Sequence, residues 1–472
     1  MVPNVLAQRY ASPEMAALWS PEHKVELERR LWIAVMRAQA ELGVEVPPGT
    51  IEASEAVVEQ VDLASIEARE RVTRHDVKAR IEEFAALAGH EHAHKGMTSR
   101  DVTENVEQLQ IRDGLRLVRT RVVATLARLA DRAAEHEGTA LTGRSHNVPA
   151  QVTTLGKRFA NAGEELLQAL HRLDDLLARY PLRGLKGPVG TSQDQLDLLG
   201  GDVGALDRME AAVAAELGFD ARLDNVGQVY PRSLDLDVVS ALLQVASGPS
   251  SLCTTLRLMA GAELASEGFA PGQVGSSAMP HKMNARSCER VTGLTQVLRG
   301  HLAMIAGLAG DQWNEGDVSD SQVRRVALPD AFYTVDGIFQ TFLTVLDGFT
   351  AFPAVIDEEL RRELPFLTTT RVLMAAVRAG VGREVAHEAI KEHAVAAALA
   401  RRQGEAGSAD LTSRLAGDER LPLGPDRLAD LLGDPLAVVG NAPRQVSAFL
   451  SQVEAVVAAD PTSATYTPEP IL

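Results

Sequence analysis

Between Asp101 and Glu137 the residues Val106, Leu109, Val118, Val122, Leu126, Leu129 and Ala133 form one apolar stripe at helical spacing. A helix of that length, apolar on one side, has to be covered by partners of similar length. The chain supplies them. Leu155, Phe159, Ala162, Leu166, Leu170, Leu173 and Leu177 mark a second long helix, stopped by Pro181. Leu234, Val238, Ala241, Leu242 and Val245 start a third, which Leu252, Leu256 and Met259 continue past Gly248-Pro249. Val291, Leu294, Leu298, Leu302 and Ile305 mark a fourth, and Leu328, Phe332, Val335, Phe342, Val345 and Leu346 a fifth. Long striped segments with short breaks describe an elongated bundle. Aromatic residues make up only 4% of the chain, so the core is built from Leu, Val and Ala, which favours close-packed helices.

With 472 residues the chain exceeds one ordinary domain. The pattern predicts an all-α protein of three helical domains: 1–108, a central long-helix bundle over 109–364, and a small domain over 365–472. In the first, Ser20-Pro21-Glu22 reads as a helix start, with a capping hydroxyl, an early proline and an acidic first turn. A second helical stretch is expected from about Glu67 to Leu87. In the last, His387 and His393 lie on a helix over Arg383–Arg401 without a matching ligand and read as structural. The net charge of −17 argues against a nucleic-acid partner but allows a small anionic substrate in a locally basic cleft. Cys253 and Cys288 share no CxxC spacing and read as reduced, buried thiols. Without a secretory-type leader or a long uncharged apolar run, the expected location is the cytoplasm, with no membrane partner.

Polar groups collect where the helices break. The loop 271–286, Pro-Gly-Gln-Val-Gly-Ser-Ser-Ala-Met-Pro-His-Lys-Met-Asn-Ala-Arg, packs hydroxyls, an imidazole, an ammonium and a carboxamide between glycines and prolines that forbid regular structure. His90, His92 and His94 invite a metal reading, but glycines bracket them and no further ligand follows at a recognisable spacing, so no metal is expected. Thr98-Ser99 reads as a helix cap whose N–H groups would face an anion. Further breaks hold His75, then Gly143-Arg144-Ser145-His146, then Gln228-Val229-Tyr230-Pro231-Arg232. The glycine-rich Lys186–Ser192 run lacks the spacing of a nucleotide fingerprint.

This equipment suits removal of a proton next to a carboxylate with loss of a leaving group one carbon away. Lys282 and Asn284 suit the carboxylate, and His146 or His75 suits the proton that the leaving atom needs. A serine acts as base only if desolvated beside Lys282 and helix N-termini. Spacing alone equally allows a serine–lysine hydrolase.

The run Gly275–Asn284 closely resembles the signature of the fumarase/aspartase superfamily of lyases. Arg9–Met15, Arg74-His75-Asp76-Val77, Gly143–His146 and Gly227–Arg232 resemble the adenylosuccinate lyase family within it, in its actinobacterial form. The resemblance runs from Arg9 to Tyr466-Thr467-Pro468. It implies β-elimination of fumarate from adenylosuccinate, leaving AMP, and from the succinylated aminoimidazole carboxamide ribotide (SAICAR), leaving AICAR, with no cofactor. It implies Ser276 as base, His146 as general acid polarised by Glu289, His75 as the histidine that orients substrate, and Lys282 as a catalytic cation. Asn284, Thr98 and Ser99 are implied as further carboxylate ligands. Arg9, Tyr10, Arg74, Asp76, His94, Gln228, Ser277, Met279, Ser321 and Arg325 are implied as substrate contacts. Family members are homotetramers whose sites draw on three chains, which implies a superhelical tetrameric core here. One departure is Gly316, after Trp313-Asn314-Glu315, where many relatives carry arginine; Arg324 or Arg325 is expected to stand in. An argininosuccinate or aspartate lyase, or a non-catalytic scaffold, is the alternative, against which stand Arg74-His75-Asp76, Arg9-Tyr10 and the presence of Ser276, His146 and Lys282.

Overall fold

A computed structural model describes residues 4–269, 272, 278–279, 281–405 and 410–470. Five long helices form its spine: α5 (Ser99–Glu135), α6 (Leu155–Arg179), α7 (Ser233–Gly261), α8 (Arg286–Ala306) and α9 (Ser321–Gly348). Each packs on the next, and α9 closes the ring on α5. Helix α5 has 37 residues, about 55 Å at a rise of roughly 1.5 Å per residue. Its Val106, Val118, Val122, Leu126 and Leu129 are fully buried, as the stripe requires. Helix α7 has the length and apolarity of a membrane span but packs against α6, α8 and α9. Cys253 on α7 and Cys288 on α8 are free, buried and face each other; their mutual hydrogen bond and burial push the Cys288 thiol up.

The earlier helices include α1 (Val5–Arg9), α2 (Pro21–Glu41), α3 (Leu63–Thr73) and α4 (Asp76–Ala88). Ser20 caps α2 as expected, accepting from His23 N–H at 3.1 Å. The stretch expected as one helix over Glu67–Leu87 is two. Arg74 is left-handed, with φ 54°, and ends α3, while His75 is extended and caps α4. No glycine or proline announces that break. Position 108 lies inside the unbroken α5, and residues from Leu6 to Phe84 share the bundle's core. Beyond α10 (Pro353–Leu367), a separate small core runs from Val372 to Leu431, and α11 (Ala442–Ala459) returns to pack on α5 and α6.

The break over Gly143–Pro149 is a β-hairpin, β1 (Ala140–Ser145) with β2 (Val148–Thr154). A short pair, β3 (Ala265–Ser266) with β4 (Thr350–Ala351), follows α7 and α9.

A buried ionic lattice aligns the helix ends. Glu104 of α5 receives Arg232 through both oxygens at 2.8 and 3.0 Å, and the backbone N–H of Tyr230 at 3.2 Å. Arg232 also bonds Asp320, and Arg324 bonds Asp235, Glu107 and the Tyr230 hydroxyl. Burial works against the charge on Glu107, yet Arg324, Lys24 and Arg232 hold its carboxyl down at about 2. Arg183 is similarly locked to Asp101 at 2.7 Å.

Candidate active site

The first group of candidate residues gathers where α4, α5 and α9 begin. His75 caps α4, its Nδ1 accepting the Lys78 backbone N–H at 3.2 Å, and its ring is half open to solvent. Asp76 opens the helix. Burial would raise its carboxyl, but Arg80 at 3.1 Å, the Val77 N–H and Arg325 at 3.9 Å keep it below the ordinary value. Arg325 thus reaches the start of α4 from α9 and stays largely exposed. Arg74 and His75 are exposed beside it.

Thr98 caps α5, its backbone N–H donating to Asp101 at 2.8 Å, so Ser99 opens the first turn. Ser321 opens α9 and is buried, accepting from Arg100 at 3.0 Å. His94 lies in the loop before Thr98 with φ 67°, and its Nδ1 accepts from Trp32 Nε1 at 3.1 Å. Burial pushes its pKa down to about 4; Asp101 opposes this, and nearby His75 and Lys78 add to it. His90 is used elsewhere, its Nε2 lying 3.0 Å from both Ser54 Oγ and the Thr50 carbonyl. His393, read as structural, meets Asp418 at 2.6 Å.

Gln228 is half-buried, and its backbone N–H donates to the Glu315 carbonyl at 2.6 Å. Gly316 follows with φ 147°, and a Cβ there would come within 2.8 Å of Gln228 Cβ. The arginine of many relatives therefore has no room in this backbone. Arg324 does not stand in for it, because it is buried and committed to the lattice. Arg325, by contrast, stays largely exposed.

The second group surrounds the start of α8. Ser276 and Ser277 lie outside the described residues. Lys282 is exposed, and with Asn284 and Glu289 it lines an open cleft of about 1180 Å³, where Glu289 stands 3.8 Å from Arg257. Met279 is 44% exposed. Tyr10 reaches this end too: the Arg290 guanidinium lies 5.7 Å from its ring centre, with Arg9 close by. Ser12 N–H, bonded to Asp336 at 2.6 Å, fixes the segment against α9.

His146 forms the third. It is exposed at the hairpin tip, and with Asn147 it makes a two-residue turn of φ 53° and 60°, the left-handed geometry usually given to Asn-Gly. A non-glycine strained at a turn often marks a functional position. Arg144 holds the tip through Glu359 of α10 and the Asn147 carbonyl. Arg144 and Asn147 line a cleft of about 1000 Å³ that shares Arg257, Leu258 and Gly261 with the Lys282 cleft. Among the described residues, no hydrogen bond or ion pair joins His146 to His75, His94 or Glu289.

Sequence reasoning missed Trp32, Arg100, Arg290 and Glu104. Trp32 reads as one more core residue of α2, and the other three as solvated charges.

The family described as Lyase matches residues 10–300, and the family described as Adenylosuccinate lyase C-terminus matches residues 365–449. The adenylosuccinate lyase of Saccharomyces cerevisiae is 35% identical over 95% of this chain and 93% of its own length. The chain belongs to the adenylosuccinate lyase family. The Schistosoma mansoni adenylosuccinate lyase is 33% identical over 95% of this chain and 94% of its own. As a member of the family the chain is a carbon–nitrogen lyase. The fold is shared more widely. The fumarate lyase of Mesorhizobium sp. BNC1 superposes with a TM-score of 0.80 at 22% identity, covering 94% of this chain and 99% of that one. The 3-carboxy-cis,cis-muconate lactonizing enzyme of Pseudomonas putida gives 0.82 at 22% identity over 96% and 99%.

Proposed function

We propose that the enzyme cleaves adenylosuccinate to AMP and fumarate, and SAICAR to AICAR and fumarate, in the cytoplasm. The supporting observation is the meeting of His75, His94, Lys78 and Arg325 at the starts of α4, α5 and α9. Helix N-termini with cations and imidazoles suit the phosphate and carboxylates of a succinylated nucleotide.

In this reading Ser276 removes a proton from the succinyl carbon next to a carboxylate. Charge flows into that carboxylate, held by Lys282, Asn284, Thr98 and Ser99, and the C–N bond breaks. His146, polarised by Glu289, gives its proton to the departing nitrogen, and His75 orients the substrate. Arg9, Tyr10, Arg74, Asp76, His94, Gln228, Ser277, Met279, Ser321 and Arg325 hold the rest of the nucleotide. The dispersal of these residues over three groups supports assembly by a homotetramer, with different copies bringing the His75 region, the His146 hairpin and the α8 end to one site.

Incubating the purified chain with adenylosuccinate and separating the products tests this: AMP and fumarate in equal amounts are expected, and Ser276→Ala and His146→Gln lose nearly all turnover. Fumarate from argininosuccinate or aspartate, with none from adenylosuccinate, would overturn it.

A further inference from the structure

Nothing in the lyase chemistry calls for Trp32. It sits in the middle of α2, fully buried, stacked on Phe84 with ring centres 5.7 Å apart, and edge-on to His94 at 6.1 Å. An indole N–H only donates, so at 3.1 Å from His94 Nδ1 it requires that nitrogen to be an acceptor. A neutral imidazole that accepts at Nδ1 carries its one proton on Nε2. His94 Nε2 has no partner among the described residues and is not sealed in the interior. His75 and Lys78 of α4 approach the same ring, and the α5 start lies just beyond it in the chain.

We propose that Trp32 is a positioning residue that fixes His94 as a neutral, single-tautomer donor, with Nε2–H offered to an anionic oxygen at the phosphate end of the substrate. This rests on the nucleotide reading above. The backbone contributes as well, since the left-handed conformation of His94 sets the direction in which its ring leaves the chain. The uncharged state follows from the same geometry. A second proton on Nδ1 would point at the indole N–H, and burial and the neighbouring Lys78 and His75 oppose it too, against only Asp101 of α5. A neutral donor adds no protonation step of its own to phosphate binding. A free histidine would bind it more tightly as pH fell.

Trp32→Phe tests this because it keeps a ring on Phe84 and deletes only the N–H. The inhibition constant of AMP should rise about tenfold, as for the loss of a well-aimed hydrogen bond to a charged group, while that of fumarate and kcat stay within about twofold. The variant-to-parent ratio of AMP constants should also fall from about pH 7 to 5 as His94 of the variant takes up a proton, the titration of AMP itself cancelling in the ratio. In the parent protein, ¹⁵N spectra of labelled histidine should show His94 Nδ1 unprotonated and Nε2 protonated from pH 5.5 to 8, a readout that needs no variant. A protonated Nδ1, or an unchanged AMP constant in Trp32→Phe beside a raised one in His94→Ala, would overturn the role of Trp32 and leave that of His94. An unchanged AMP constant in His94→Ala itself would overturn the nucleotide reading of His94.

Discussion

Glu104 is the point at which the architecture and the site are most tightly joined, and replacing it with Gln gives the sharpest test of the lattice. Its carboxylate is fully buried and meets Arg232 through both oxygens, the Tyr230 N–H, and Arg100 at 3.2 Å. Gln has the same shape but turns an NH₂ group toward the guanidinium. One of the two bonds is lost and the other passes to a neutral amide oxygen, so Arg232, itself without exposure, keeps Asp320 as its charged partner. Breaking a buried pair from one side costs about 3–5 kcal/mol. Because Asp320 remains, the lower end, about 3 kcal/mol, is expected here. Urea unfolding at fixed protein concentration, followed by far-UV circular dichroism, measures it. The Glu104→Gln, Arg232→Met double variant should be less destabilised than the sum of the single ones, since both substitutions break the same Glu104–Arg232 pair. Glu104→Gln should also weaken substrate binding, because the lattice ties the Gln228 segment, through Tyr230 and Arg232, to Asp320 beside Ser321. A loss below about 1 kcal/mol, or strict additivity, would show that the lattice is not what aligns these helices.

Two further outcomes follow from other parts of the structure. Restoring the relatives' arginine with Gly316→Arg should raise KM severalfold rather than lower it, because its Cβ collides with Gln228; steady-state kinetics decide, and a lowered KM would refute the steric account. The Glu107 carboxyl is held near 2, below its ordinary value of 4.5, so its stabilising contribution is complete above about pH 4.5 and disappears as pH falls toward 2. The urea midpoint should fall through that window, and less steeply in Glu107→Gln.

The bundle was legible in the sequence because each long helix carries its stripe without interruption, and packing partners of equal length leave few other solutions. Caps were legible as well: Ser20 and Thr98 stand where local hydrogen bonding puts them. What escaped was local structure without a local signal. Arg74 turns left-handed with no glycine to announce it, and a polar stretch around His146 reads as a loop until two strands are seen to pair across it. Charges misled for a related reason. Glu104, Asp235, Asp320 and Arg324 look like solvated residues one at a time, and only their meeting across three helices makes burial tolerable. Arg324 therefore was an unsuitable stand-in at Gly316. The site residues themselves came from motif resemblance, and the structure arranges them in three groups on one chain.

That separation gives the account its most direct measurement. His75→Gln and His146→Gln are each expected to be nearly inactive as pure proteins. If each site takes these histidines from different copies, then mixing the two variants, dissociating them and letting them reassociate creates sites in which both are intact. Random assortment in equal proportions should return about a quarter of the parent activity. If activity stays at the level of the separate variants while the tetramers re-form, both histidines come from one chain, and the composite site is wrong.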